Sequence, residues 1–255
     1  MYELRTYRCW VKDDDLIRFE VVVKETDLFI RAEKNLRKKA LRACLKHRSR
    51  LEKYISQHPE FLNSLQPVRV KAEAPYIVKE MAQAGEEALT GPMAAVAGAI
   101  ADCVGQELLP FSSEVIVENG GDIFLKVSKK RLVGIYAGDS PLSGRIALEV
   151  EPQETPLGVC TSSGTVGPSL SFGRTDAVVV LSKSTALADA AATAIGNLVR
   201  EEADISRGLE LAQRIPGLQG TVIIKGGEMG LWGKVRVKPV VGVAAGFMRG
   251  PCLEP

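Results

Sequence analysis

The sequence predicts an α+β domain with a mainly antiparallel sheet and two small-residue helices flanking a cleft. Three observations predict it. From Glu114 onward the hydrophobic period is two, the mark of half-buried strands. Two segments, Gly91 to Val104 and Thr185 to Val199, are rich in Ala and Gly and read as helices. Finally, VIVENGGDIFL (115–125) aligns without a gap on TVIIKGGEMGL (221–231), each with a Gly-Gly-acid turn between strands. Two related helix-plus-hairpin halves would put a site between them, although such turns also arise independently in strand-rich chains.

Taken in order, Leu4 to Val11 and Leu16 to Lys24 read as strands joined by the polar turn Lys12-Asp13-Asp14-Asp15, hence a hairpin. Glu33 to Tyr54 follows as a long helix, with Leu36, Ala40, Cys44, Leu51 and Ile55 near helical spacing. Beyond Pro59 and Pro67, Pro75 to Ala88 is helical, and Pro92 suits the first turn of the next helix. Glu114 to Val117, Ile123 to Val127, Leu132 to Tyr136, Arg145 to Val150 and Ala177 to Leu181 are strands. Helices near Thr185 to Val199 and Ser206 to Arg214 come next, and strands Thr221 to Lys225 and Lys234 to Val240 close the fold. The expected organisation is an N-terminal hairpin and basic helical segment (1–89) integral to the domain, a core (90–240) and an apolar tail (241–255).

The chain has 255 residues, 45% of them hydrophobic and 25% charged, enough to bury a core without metal or disulfide staples. Its net charge of +2 conceals an asymmetry: residues 31–53 carry ten Lys or Arg against Glu33 and Glu52. That basic face suits phosphates or an acidic partner, but more often such a face is simply solvated. With no aromatic platform or known motif, nucleic acid ranks last among partners. The five cysteines form no CxxC pair, which fits a reducing compartment. Glu3, Arg5 and Arg8 stand where a signal peptide would be apolar, and the longest uncharged apolar stretch, Gly91 to Ala101, is too short to span a bilayer. The expectation is a cytoplasmic protein, with a homo-oligomer left open. The two histidines, His47 and His58, argue against Ser-His-Asp chemistry.

Three segments could carry chemistry. Glu118-Asn119-Gly120-Gly121-Asp122 combines a turn with uncovered amides of the kind that cradle anions, or it is a hairpin turn alone. Cys160-Thr161-Ser162-Ser163-Gly164-Thr165 places short donors at a strand end, suited to phosphate or carbonyl oxygens. In Ala186-Leu187-Ala188-Asp189-Ala190-Ala191-Ala192-Thr193, Asp189 and Thr193 lie four apart on one helix face, offering hard oxygen ligands for Mg²⁺. The alternative is an Asp that stabilises a helix start.

These segments, in this order, resemble the ApbE-like superfamily of flavin transferases. Asp189-xxx-Thr193 is similar to that family's metal-binding helix, Thr161-Ser162-Ser163-Gly164 to its Thr-Ser-Gly loop, and Asn119-Gly120-Gly121-Asp122 to its Gly-Gly-Asp turn. Gly98 to Asp102 is similar to the end of its upstream helix. GPMAAVAGAIAD, ENGGDI, CTSSGTVG, SLSFG and LADAAATAIGN together resemble a cytoplasmic, uncharacterised branch. The resemblance implies FAD or FMN bound with Mg²⁺ near the pyrophosphate, with flavin transfer to a Thr or FAD hydrolysis as the reaction. Two positions depart from the pattern. Ala97 stands where the family has Lys, and Gly167 to Gly173 replaces its His-containing stretch. A non-catalytic flavin-binding or partner protein is the second reading. The close branch also resembles proteins of anaerobic homocysteine formation, for which Cys160 would be the sulfur-handling residue, unless it is a small core residue.

Overall fold

The structure is a computed structural model and describes residues 15–165 and 172–240. Alternation along the strands sorts it into three layers. In β8 (Ala177–Ser182), Val178 and Val180 face the helices, whereas Ala177, Val179 and Leu181 face a second sheet. The same split holds for Phe124 against Leu125 on β4 (Asp122–Lys126) and Ile223 against Val222 and Ile224 on β9 (Leu218–Lys225). Strands buried on both faces read as continuous apolar runs, which explains the Val-rich AVVVLS.

The large sheet has eight strands in the order β1-β2-β3-β4-β7-β8-β9-β10, every neighbouring pair antiparallel. Its other members are β1 (Ile17–Val23), β2 (Thr26–Ala32), β3 (Val115–Asn119), β7 (Leu157–Ser162) and β10 (Glu228–Gly233). The small sheet orders β11 (Val237–Pro239), β6 (Ile146–Val150) and β5 (Arg131–Gly134). Helices α1 (Arg37–Gln57), α3 (Tyr76–Ala88), α4 (Val96–Leu108), α5 (Thr185–Leu198) and α6 (Ile205–Arg214) form the remaining layer, with α2 (Glu60–Asn63) a single turn. The same order, hairpin then helices then hairpin, thus occurs twice and meets at the β4–β7 seam. Both Gly-Gly turns are tight: Asn119 pairs with Asp122 and Lys225 with Glu228.

Two strand assignments differ from the sequence reading. Leu16 to Lys24 contains β1, which pairs with β2, a strand the sequence reading did not assign, through a turn at Lys24 with φ 54°. TDLFIRA is buried almost throughout, so it lacks the alternation that marks a strand. Leu4 to Val11 lies outside the described residues, as do most of the Gly167 to Gly173 stretch and the tail. At the other end, Thr221 to Lys225 pairs with β10, and Lys234 to Val240 supplies β11 to the small sheet.

The helical run from Pro92 to Phe111 is 20 residues long and apolar enough to cross a bilayer by length and composition. It is longer than the uncharged stretch alone suggested because it continues through Asp102 and Glu107. Half of it is buried in the fold, against α1, α5 and strands β3 and β4. That is the position of a core helix.

Candidate functional site

The first N–H groups of a helix find no partner within it. In α4, other elements supply the partners. Asp189, on α5, accepts the Gly98 N–H on Oδ2 at 2.8 Å, and the Ala97 N–H is within hydrogen-bonding reach of the same carboxylate. From β3, Asn119 donates its Nδ2 to the Ala97 carbonyl at 3.0 Å. Residues 70 apart in sequence therefore meet on one turn of α4. Asp189 stabilises a helix start, but that of α4 rather than of its own helix.

This meeting requires α4 and α5 to touch. A Cβ on Gly98 would lie 2.5 Å from the Thr185 carbonyl oxygen and 2.8 Å from the Asp189 Cβ. The alanines around Asp189 serve the same contact. Ala186, Ala188, Ala190, Ala191 and Ala192 are all buried, so they form a packing surface.

Period-two alternation brings further polar groups to the helix face. Phe124 faces the helices, and so therefore does Asp122, two residues before it. The Asp122 carboxyl is buried, and its Oδ1 has no hydrogen-bond partner among the described residues. Burial, and secondarily the charge of Asp189, push its pKa well above the usual carboxylate range. Burial likewise raises Asp189 to about 7, against the opposing effect of the Gly98 and Ala97 N–H groups. Two carboxyls thus share a water-poor space, each making it harder for the other to ionise.

Cys160 on β7 lies in the same place, fully buried, its Sγ donating to the Thr185 carbonyl at 3.3 Å. Burial and the Asp122 and Asp189 charges push its thiol pKa well up. Of the two readings the sequence left open, a sulfur-handling residue or a small core residue, the burial and the raised thiol pKa match the second. Thr185 also donates Oγ1 to Asp102 at 3.3 Å, and burial raises Asp102 to about 6. Sequence reasoning missed this role for Thr185, and placed Asp102 only through the resemblance.

The hydroxyl segment divides. Ser162 shares the helix face and packs beside Gly196 of α5, whereas Thr161, one residue earlier, turns to the other face. Ser163 is engaged with the Thr175 carbonyl and Thr165. The Gly164 N–H also bonds the Thr175 carbonyl, at 2.9 Å. Thr161 nevertheless adjoins the glycine turn through its main chain, 3.8 Å from a Cβ built on Gly121. Gly120 and Gly121 have φ of 69° and 106°, and nothing lies within 4 Å of a Cβ built on Gly120. Space beside Gly120 is open, whereas Glu202 covers the matching Gly226; the Gly121 N–H, however, is not uncovered as the sequence suggested, because it bonds Glu118 Oε1 at 2.8 Å. Thr193 is half-buried one turn beyond Asp189. No group of three or more His, Cys, Asp or Glu among the described residues is arranged to hold a metal. A cation here would rely on Asp189 and Asp122, with hydroxyl, carbonyl, water or ligand oxygens completing its shell.

A family model described as AbpE bacteria matches residues 8–229. The chain belongs to this family. Among AbpE relatives, a UPF0280 protein of Methanocaldococcus jannaschii is 44% identical over 221 residues, covering 84% of this chain and 90% of that one. Another, of Methanopyrus kandleri, is 43% identical over 242 residues, covering 92% and 97%. The fold is that of ApbE flavin transferases. The Pseudomonas stutzeri flavinyl transferase ApbE superposes with a TM-score of 0.57 at 19% identity, covering 85% of this chain and 93% of that one. The flavin transferase ApbE of Vibrio cholerae gives 0.55 at 15% identity, covering 85% and 96%.

Proposed function

We propose that this AbpE-family chain binds a flavin nucleotide, FAD or FMN, together with Mg²⁺, beside the first turn of α4. The observation that carries the reading is the Asp122 Oδ1, buried and without a hydrogen-bond partner among the described residues, next to a second carboxyl whose ionisation burial already resists. A dry pair of this kind is relieved by a hard cation. Asp189 and Asp122 would hold the ion, with Thr193 following Asp189 on α5. When bound, Mg²⁺ would neutralise charge on a pyrophosphate. The space beside Gly120 leaves room for phosphate oxygens close to the main chain, and Ser162 offers a donor on the helix side. Support for a flavin comes from the names of the solved structures that share the fold. Cys160 has no assigned part in this reading: it is fully buried, and burial raises its thiol pKa, which weighs against the sulfur-transfer alternative.

Calorimetric titration of FAD with and without Mg²⁺, on wild type and Asp189→Asn, tests the proposal. The Asn carbonyl oxygen still accepts the Gly98 N–H, so α4 keeps its cap while the charge is lost. The Mg²⁺-dependent part of FAD binding should disappear in the variant. In wild type it should weaken as pH falls below about 7, where protons compete for Asp189. Equal affinities in all four titrations would sink the assignment. Release of FMN and AMP from FAD would show turnover; binding without products would favour the non-catalytic reading, which Ala97, lacking the family's amine, supports.

A further inference from the structure

The basic helix borders a second concavity, and the cations that line it differ in their pairing from Lys46 and Arg48 nearby. Lys46 bonds Glu107 at 2.7 Å, and Arg48 bonds Glu25 and Glu52 at 2.7 and 2.9 Å. Arg50 and Lys53 make no ion pair among the described residues, and neither does Lys71 across from them. These three converge on a pocket of about 470 Å³ between the C-terminal half of α1 and the Lys71–Pro75 segment that leads into α3. On α1 the lining positions 50, 53, 54, 57 and 58 follow i, i+3, i+4, i+7, i+8, a single helix face. One carboxylate, Glu73, joins the lining, leaving two positive charges in excess.

The floor is built. Tyr54 stacks on His58 with ring centroids 4.2 Å apart and sets its edge against Phe61, which is fully buried. His58 is further held by its Nδ1 on the Tyr54 carbonyl at 3.2 Å. Like charges gathered in excess of their counter-ions repel one another, and a ligand bearing several negative charges removes that repulsion. An Arg fork with two Lys point charges matches oxygens spread over linked phosphates better than one compact carboxylate.

We propose that this pocket is a binding site for a small, multiply charged phosphate anion of the diphosphate or triphosphate class, separate from the α4 cleft. The probe is inorganic pyrophosphate, titrated calorimetrically in EDTA so that a Mg²⁺-dependent cleft contributes nothing. Wild type should bind it with an affinity that falls as salt rises. Lys53→Gln combined with Lys71→Gln should weaken it about tenfold with an unchanged melting temperature, because both side chains are exposed. Asp189→Asn should leave this binding intact, and the lysine variant should leave Mg²⁺-dependent FAD binding intact, so either site can fail alone. Absence of pyrophosphate binding, or binding indifferent to the lysine variant, would overturn the proposal. So would a single-stranded oligonucleotide or polyglutamate held more tightly than pyrophosphate and released by the same variant, since the pocket would then serve a macromolecule.

Discussion

Replacing Gly98 with Ala sets a single methyl against the contact on which the cleft depends. The added Cβ would meet the Thr185 carbonyl oxygen at 2.5 Å, the Asp189 Cβ at 2.8 Å and the Thr185 carbonyl carbon at 3.0 Å. None of these atoms is the end of a flexible side chain, so no rotamer change relieves the clash. Helices α4 and α5 must part until the contacts become ordinary, a shift of roughly 1 Å. Overpacking of this kind costs about 1–3 kcal/mol. Ala stabilises a helix relative to Gly by about 0.5–1 kcal/mol, which offsets part of that cost. A net loss of about 1–2 kcal/mol corresponds to a fall of roughly 2–8 °C in melting temperature for a chain of this size. Separation of the helices also lengthens the Gly98 N–H to Asp189 bond, so FAD binding in Mg²⁺ should drop more than the modest loss of stability explains. Differential scanning calorimetry and titration of the same sample measure both effects. Gly120→Ala is the comparison: its added Cβ meets nothing within 4 Å, and only the cost of a left-handed φ, about 1 kcal/mol, applies. A Gly98→Ala protein as stable as wild type would refute the helix spacing on which the cleft rests.

Two further outcomes follow from the buried groups. Asp102 has a folded pKa of about 6 against an ordinary 3.8, so as pH rises from about 4 to 6 the unfolded chain releases a proton that the folded chain retains. Stability is therefore lost across that window, on the order of 2–3 kcal/mol, and Asp102→Asn should remove the loss. Urea unfolding at several pH values reads this directly, and parallel curves for the two proteins would contradict it. Cys160 should resist a thiol-specific reagent in the native protein and react once the chain is unfolded, as followed by peptide mapping, since it is fully buried with a raised pKa. Rapid native labelling at Cys160 would restore it as a nucleophile.

The sequence made the antiparallel character and the two tight turns legible because Gly-Gly at 120–121 and 226–227 interrupts alternating runs. It hid β2, whose Leu28, Phe29 and Ile30 are buried alike, and Arg31 with them. It showed only the end of β7, at Cys160, and left the start unassigned for a different reason. Gly158 reads as a strand breaker, but a Cβ there would lie 2.6 Å from the Thr185 Cα, so the glycine admits α5 against the sheet. At the site, residue types were readable and directions were not. Asp122 looked like part of a phosphate-cradling turn; only the register of β3 and β4 turns its carboxyl inward toward Asp189. The capping of α4 by Asp189 spans 91 positions, and no local pattern records a partner that distant.

The clamp on α4 also makes the cleft a late arrival in the life of the chain. Gly98 leaves the ribosome long before Asp189 does; with 91 positions between them, synthesis takes on the order of ten seconds to deliver the missing cap. Over that interval the first four strands can pair among themselves, yet β4 has an uncovered edge until β7 arrives, and unpaired edges recruit other chains. A nascent first half is thus a species for chaperones to shield. A truncation that stops short of α5 would lack the Asp189 cap, and one that stops short of β7 would also leave β4 prone to pairing between molecules. Ligand binding at the cleft can serve as a reporter that both halves of the sheet have closed on each other.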